Sequence, residues 1–215
     1  VIVPAPYWVS YPEMVTIHGG VPVVIECCAE RGFKLTPDAL SRAITPQTRW
    51  LILNSPNNPT GAVYSREELA ALGAVLARHP HVWVLADEIY EHFTYWGAAH
   101  MSVLNAAPFL KPRTLLVNGV SKGYAMTGWR IGYGAGPVDL MKAITMLITQ
   151  STTCATAAAQ VAAAEALNGP QESVRGAAAI FAQRCARMTA RLNAIDGLAC
   201  EVPGGAFYIF APVQG

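Results

Sequence analysis

Three continuous apolar runs constrain this chain more than anything else in it. They are W-L-I-L at 50–53, V-W-V-L-A at 82–86 and T-L-L-V at 114–117. Each is too short for a helix and lacks polar alternation, the pattern of a strand buried on both faces. A helix with clear punctuation lies between the first two. Ser65 and Glu68 form a capping box, and Leu69, Leu72, Val75 and Leu76 keep helical spacing. Arg78 and His79 occupy its last turn and Pro80 stops it. Strand, helix, strand with buried strands predicts a βαβ unit and an α/β fold with a mainly parallel sheet flanked by helices.

The remaining segments extend that pattern. Further strands are predicted to end at 1–3 and to run over 21–26 and 131–135. Short helices are predicted over 12–18, stopped by Gly19 and Gly20, and over 36–44, opened by Thr36, Pro37 and Asp38. From 137 onward the chain reads as mostly helical, with a long helix over 171–194 leading to strands near 198–201 and 206–210. The longest uncharged run, 143–164, contains Gln150, Ser151 and Gln160. It is too polar for a membrane span and predicts a buried helix. A domain boundary is placed at Asn168-Gly169-Pro170. It separates a large domain, 1–169, from a connecting helix and the start of a small α+β domain, 170–215.

Composition narrows the function classes. Hydrophobic residues make up 53% of the chain and charged residues 13%, which excludes intrinsic disorder. So few charges also imply that another domain or a partner covers part of the surface. Fifteen basic against fourteen acidic residues give a net charge of +1, which recommends neither nucleic acid nor an anionic membrane as partner. The cysteines, Cys27, Cys28, Cys154, Cys185 and Cys200, are odd in number and include no C-x-x-C. This predicts reduced thiols in a cytoplasmic protein and no metal site. No secretory leader is legible. The chain begins at Val1 on V-I-V and ends on P-V-Q-G after F-Y-I-F, so both ends are expected to be cut from something longer.

Polar residues collect where the apolar runs stop. The first run passes into Asn54-Ser55-Pro56-Asn57-Asn58-Pro59, the second into Asp87-Glu88-Ile89-Tyr90, the third into Asn118-Gly119-Val120-Ser121-Lys122. Parallel sheets bind ligands outside the carboxyl ends of their strands. Plainer readings stand beside this one: Asn58 as a turn residue before proline, Asp87 as a helix cap, Lys122 as a solvated surface group. The charge distribution weakens the last. Between Thr114 and Val138 the only charged residues are Lys122 and Arg130, both positive and set among glycines, aromatics and aliphatics. Burial there without a partner is costly, and an anionic ligand would resolve it. A lysine drawn from water is also a candidate nucleophile. Arg130 offers a planar fork for phosphate and Ser121 a hydroxyl. The residues alone suggest a phosphorylated carbonyl compound held by a Schiff-base lysine.

The segments S-P-N-N-P-T-G (55–61), A-D-E-I-Y (86–90) and S-K-G-Y-A-M-T-G-W-R-I-G-Y (121–133) resemble the class I/II aminotransferases, which are fold-type I pyridoxal-phosphate enzymes. P-Y-W-V-S-Y-P-E-M (6–14) resembles their bacterial aspartate branch. The four motifs stand in the family's order, and the likeness runs through nearly the whole chain. The resemblance implies transamination between an amino acid, aspartate-type by preference, and a 2-oxo acid such as 2-oxoglutarate. It implies a homodimer whose sites take residues from both subunits. It implies that Lys122 forms the Schiff base and moves the proton at Cα, and that Asp87 pairs with the pyridinium nitrogen. Tyr90 and Asn58 become donors to the ring oxygen, Arg130 and Ser121 phosphate contacts, and Trp8 the aromatic packed on the ring.

Two departures from the family pattern stand out. Gly119 replaces a serine that some relatives place on phosphate. Cys154 stands where many relatives have serine or another small residue, and reads as a packing residue. The family's first phosphate loop and its arginine for the substrate α-carboxylate have no counterpart among these residues, so the chain is expected to be incomplete and inactive alone. G-G-A-F-Y-I-F (204–210) resembles the first small-domain strand. Two further classes share these motifs: another fold-type I enzyme, such as a β-lyase or a cyclopropane-carboxylate synthase, and a non-enzymatic aminotransferase-like sensor. The P-Y-W-V-S-Y-P-E-M segment favours the aminotransferase over the former.

Overall fold

A computed structural model describes residues 1–213. Six strands form one sheet: β1 (Ile2–Ala5), β2 (Val23–Glu26), β3 (Trp50–Asn54), β4 (Trp83–Asp87), β5 (Thr114–Gly119) and β6 (Gly132–Ala135). Their spatial order is β2-β1-β3-β4-β5-β6. Neighbours from β2 to β5 are parallel, and β6 runs antiparallel to β5 at the edge. The register Asn54↔Asp87 and Asp87↔Val117 aligns the carboxyl ends of the three central strands.

The helices are α1 (Ser10–Ile17), α2 (Pro37–Ala43), α3 (Arg66–Ala77), α4 (Val103–Ala106), α5 (Val138–Ser151), α6 (Ala157–Asn168) and α7 (Glu172–Leu192). Thr36 caps α2 by accepting from the Ala39 amide at 3.2 Å. The capping box of α3 forms as its spacing predicts. Ser65 Oγ accepts from the Glu68 amide at 3.2 Å, and Glu68 Oε2 accepts from the Ser65 amide at 2.7 Å. Its far end is held from outside, because Arg113 donates to the carbonyls of Leu76, His79 and Val82.

Alternation along the strands feeds two clusters. Ile2, Leu51, Leu53, Val84 and Ala86 join Leu40, Leu69, Leu72, Leu76 and Leu110 in the main core. Val3 and Ile52 meet Tyr11 and Val15 of α1 in a much smaller one. A third small cluster joins Val120 and Ile131 to Ala159 and Ala163 of α6, so α6 underpins the loop between β5 and β6.

Three expectations are corrected here. The run 143–164 is two helices, and α5 contains no buried residue; Met146, Leu147 and Ile148 are all exposed. Apolar content gives a helix something to bury, but among the described residues no layer packs over that face. The strands expected near 198–201 and 206–210 do not form. Among the described residues only the single bridges Leu198↔Val213 and Thr94↔Gly205 occur there, because a strand requires a partner ladder that apolar content alone cannot provide. Cys154, read as a packing residue, is exposed. Among the described residues no helix is long and apolar enough to cross a membrane.

Candidate active site

The carboxyl ends of β3, β4 and β5 open on a cavity of about 420 Å³. Trp8, Asn58, Asp87, Tyr90, Ser121, Lys122 and Arg130 all line it, together with Tyr11, Asn54 and Tyr208 among others. Residues from five separate stretches of sequence thus share one concavity.

Asp87 is the last residue of β4. Its Oδ1 accepts from the Ile89 amide at 3.1 Å and its Oδ2 from the Tyr11 hydroxyl at 2.7 Å. No helix begins at 88, so the capping role is replaced by a local turn. Burial pushes the Asp87 carboxyl above its ordinary range, against the two hydrogen bonds that favour its ionised form. Among the described residues no lysine, arginine or histidine forms an ion pair with it. A partly desolvated carboxylate is left facing the cavity with room for a cationic partner.

Asn54 closes β3 and organises its surroundings. Its Nδ2 donates to the Asp87 carbonyl at 3.1 Å, and its Oδ1 accepts from the Asn58 amide nitrogen at 2.8 Å. The turn that follows is made by Asn57, whose Oδ1 accepts from the Thr60 amide and hydroxyl. The Asn58 side chain is therefore not consumed by the turn. It bears on Tyr90, whose hydroxyl burial pushes up, while the Asn58 amide pulls it down.

Lys122 and Ser121 sit half-buried in the turn after β5. The Lys122 ammonium lies 5.9 Å from the ring centres of both Tyr90 and Phe207. Arg130 departs from expectation: it is exposed, with left-handed backbone at φ 57°. It follows a short 3-10 turn at the cavity rim and donates to the Thr127 carbonyl at 2.8 Å. Water solvates the rim, so a guanidinium there needs no buried partner. Trp8 precedes α1, is 42% exposed, and meets Tyr11 edge-on at 5.5 Å. A side chain at Gly119 would require its neighbours to shift. A Cβ there would stand 2.8 Å from the Ile131 carbonyl oxygen and 3.2 Å from Ile89 Cδ1.

Sequence reasoning missed Tyr11, Asn54 and Tyr208. Tyr11 lies three residues after Trp8 in the same motif, and Asn54 is the first polar residue after an apolar run. The signal for Asn54 is local, whereas the partner of Tyr11, Asp87, is 76 positions away. Tyr208 carried no local signal. Glu88, Glu91 and His100 offer ligand atoms within 4.8 Å of one another. His100 Nε2 lies 3.0 Å from Glu88 and Asn118 donates to Glu91 at 2.7 Å, while His100 Nδ1 is buried without a hydrogen-bond partner among the described residues.

The donor set suits a ligand with a protonated ring nitrogen at one point and a phosphate at another. Asp87 lacks a cation, while Lys122, Ser121 and Arg130 supply an amine, a hydroxyl and a guanidinium.

Comparison with known proteins agrees with that chemistry. The family described as aminotransferase class I and II matches residues 1–214. The aspartate aminotransferase of Rhizobium meliloti (strain 1021) is 51% identical over 215 residues, covering 100% of this chain and 52% of the relative. The aspartate/prephenate aminotransferase of Cereibacter sphaeroides is also 51% identical over the same length, 54% of its own. A crystal structure of the Rhizobium meliloti enzyme superposes with a TM-score of 0.97 at 51% identity, covering 99% of this chain and 53% of that one. The chain spans about half the length of the curated relatives it matches.

Proposed function

The chain belongs to the class I and II aminotransferases, and from that premise we propose that its cavity holds pyridoxal phosphate and serves transamination between aspartate and a 2-oxo acid such as 2-oxoglutarate. Enzymes of this class depend on that cofactor. When bound, it supplies a carbonyl that condenses with amines and a ring that draws electrons from a substrate Cα. The observation that carries the reading is the unpaired carboxylate of Asp87 sharing one cavity with Lys122 and Arg130. The alternatives, a β-lyase, a cyclopropane-carboxylate synthase or a sensor domain, are not favoured by relatives near 50% identity that are named aspartate aminotransferases.

In this reading the side chains divide the work. Lys122 holds the cofactor through its amine and then moves the proton at the substrate Cα. Asp87, kept in place by Tyr11 and Ile89, keeps the ring nitrogen protonated. Tyr90 and Asn58 donate to the ring oxygen, Ser121 and Arg130 hold the phosphate, and Trp8 packs on the ring. The division into a large domain, 1–169, and the start of a small domain, 170–215, belongs to the same reading. So do a cytoplasmic homodimer and small-molecule substrates. The exposed apolar residues Trp129, Tyr133, Met146 and Leu147 support a partner surface. Prephenate stands in the name of the Cereibacter sphaeroides relative, and parallel assays with prephenate and 2-oxoglutarate as acceptors decide between them.

Borohydride reduction of the cofactor-loaded protein, followed by peptide mapping, is expected to find the pyridoxyl group on Lys122. Its recovery on Lys34, Lys111 or Lys142 sinks the assignment.

Asp87→Asn removes the ring-nitrogen partner. Losing a buried charge pair costs on the order of 3–5 kcal/mol, or roughly 10²- to 10⁴-fold in rate if felt at the transition state. The same variant has a signature without cofactor. The folded-state pKa of Asp87 is raised, so its contribution to stability is present below the unfolded pKa and lost as pH rises through the folded one. Cofactor-free Asp87→Asn is expected to lack that decline in acid-range unfolding curves, and an unchanged curve removes Asp87 as its source.

A further inference from the structure

Tyr208 reaches the cavity on a segment fastened by backbone contacts. The Gly205 amide donates to the Gly61 carbonyl, and the Ala206 amide to the Phe93 carbonyl, each at 2.9 Å. The Tyr95 amide donates back to the Gly204 carbonyl at 2.9 Å, and its hydroxyl to the Ala206 carbonyl. The approach is close enough to require glycine. A Cβ on Gly205 would lie 2.6 Å from the Phe93 carbonyl oxygen and 2.9 Å from Pro56 Cβ. Ala206 is fully buried, which fixes the two aromatic residues that follow.

Phe207 and Tyr208 both pack against Tyr90, near perpendicular, with ring centres 5.2 and 5.7 Å away. The two phenolic oxygens of Tyr90 and Tyr208 are 2.7 Å apart. Each hydroxyl has one proton to give and can accept. One proton is used between them and the other is left over. If Tyr90 spends its proton on Tyr208, it shows only lone pairs to the cavity, a poor face for an anionic ligand oxygen. If Tyr208 donates to Tyr90, the Tyr90 proton is free to point inward, and the chain of two hydroxyls strengthens it as a donor.

We propose that Tyr208 is a positioning residue: it donates to Tyr90 and so directs the Tyr90 proton at the ring oxygen of bound pyridoxal phosphate. This rests on the cofactor reading above. The titratable groups lining the same cavity are Tyr11, Asp87, Lys122 and Arg130. Burial pushes the Tyr90 hydroxyl up, which keeps it a neutral donor throughout the working range.

The test is a pH titration of the visible absorption band of the cofactor-loaded full-length protein. A donor at the ring oxygen stabilises negative charge there and eases deprotonation of the chromophore. Tyr208→Phe is therefore expected to raise the midpoint by about 0.5–1 pH unit. Tyr90→Phe should raise it further, and the double variant should match Tyr90→Phe alone. An unchanged midpoint in Tyr208→Phe, or shifts that add in the double variant, overturns the proposal. Lys122→Ala separates the two levels. If that variant keeps the wild-type band, the cofactor reading itself fails; if it loses the band while Tyr208→Phe titrates like wild type, only the role of Tyr208 falls.

Discussion

Leu51 and Ile52 are neighbours on β3, yet they stand in different physical surroundings. Leu51 is 0% exposed and sits in the main core, packed among residues of α2, α3 and the segment ending at Leu110. Ile52 is 7% exposed and belongs to the small cluster of Val3, Tyr11 and Val15. Both faces of the sheet are apolar, as the uninterrupted runs require. One is closed by several helices. On the other, the small cluster has α1 as its helix, and that helix also delivers Tyr11 to Asp87. One face therefore carries stability, while the other shares its contacts with the cavity.

That contrast sets an order of mutational effects. Leu51→Ala should be the most damaging, about 2–5 kcal/mol, because a dense core collapses little around a lost side chain. Ile52→Ala should fall at the low end of that range, about 2 kcal/mol, because its surroundings are more open. Equal losses in denaturant midpoints would erase the distinction between the faces. Ser65→Ala tests whether the helix covering the main core depends on its cap. A loss of about 1 kcal/mol is expected, and a negligible one means that packing alone holds α3. Leu147→Ala on α5 should change the stability of the 215-residue chain by no more than about 0.5 kcal/mol. A larger loss in that chain would mean that α5 already buries this residue.

What the sequence disclosed and what it withheld divide along the same physical line. Asn58, Asp87 and Lys122 were legible because each stands just past an apolar run, and the parallel register carries all three run ends to one edge. The Ser65–Glu68 box was legible because both partners lie within one turn. Tyr11 escaped notice because its partner is 76 positions away. The apolar stretch over 143–164 gave the composition of α5 and α6 but not their surroundings, so burial was overread. The same holds for 206–210, where an apolar run described a strand that has no ladder. For Arg130 only the burial differs, for the opposite reason: its neighbours in sequence are apolar, while the structure leaves it exposed at the cavity rim.

The seam at Gly61 and Gly205 has a consequence for the order in which the molecule assembles. Adjacent parallel strands such as β3 and β4 are joined by a single crossover helix and meet early at modest cost. The Tyr90–Tyr208 contact joins groups 118 positions apart, and the Tyr95–Ala206 contact groups 111 apart. Closing so long a loop costs chain entropy before any contact rewards it. The sheet and its main core should thus form first, with one wall of the cavity still absent. Tyr90 would wait in a half-built site until the segment around Ala206 docks. A cofactor meeting the young chain would find Lys122 and Asp87 before it finds the Tyr208 hydroxyl.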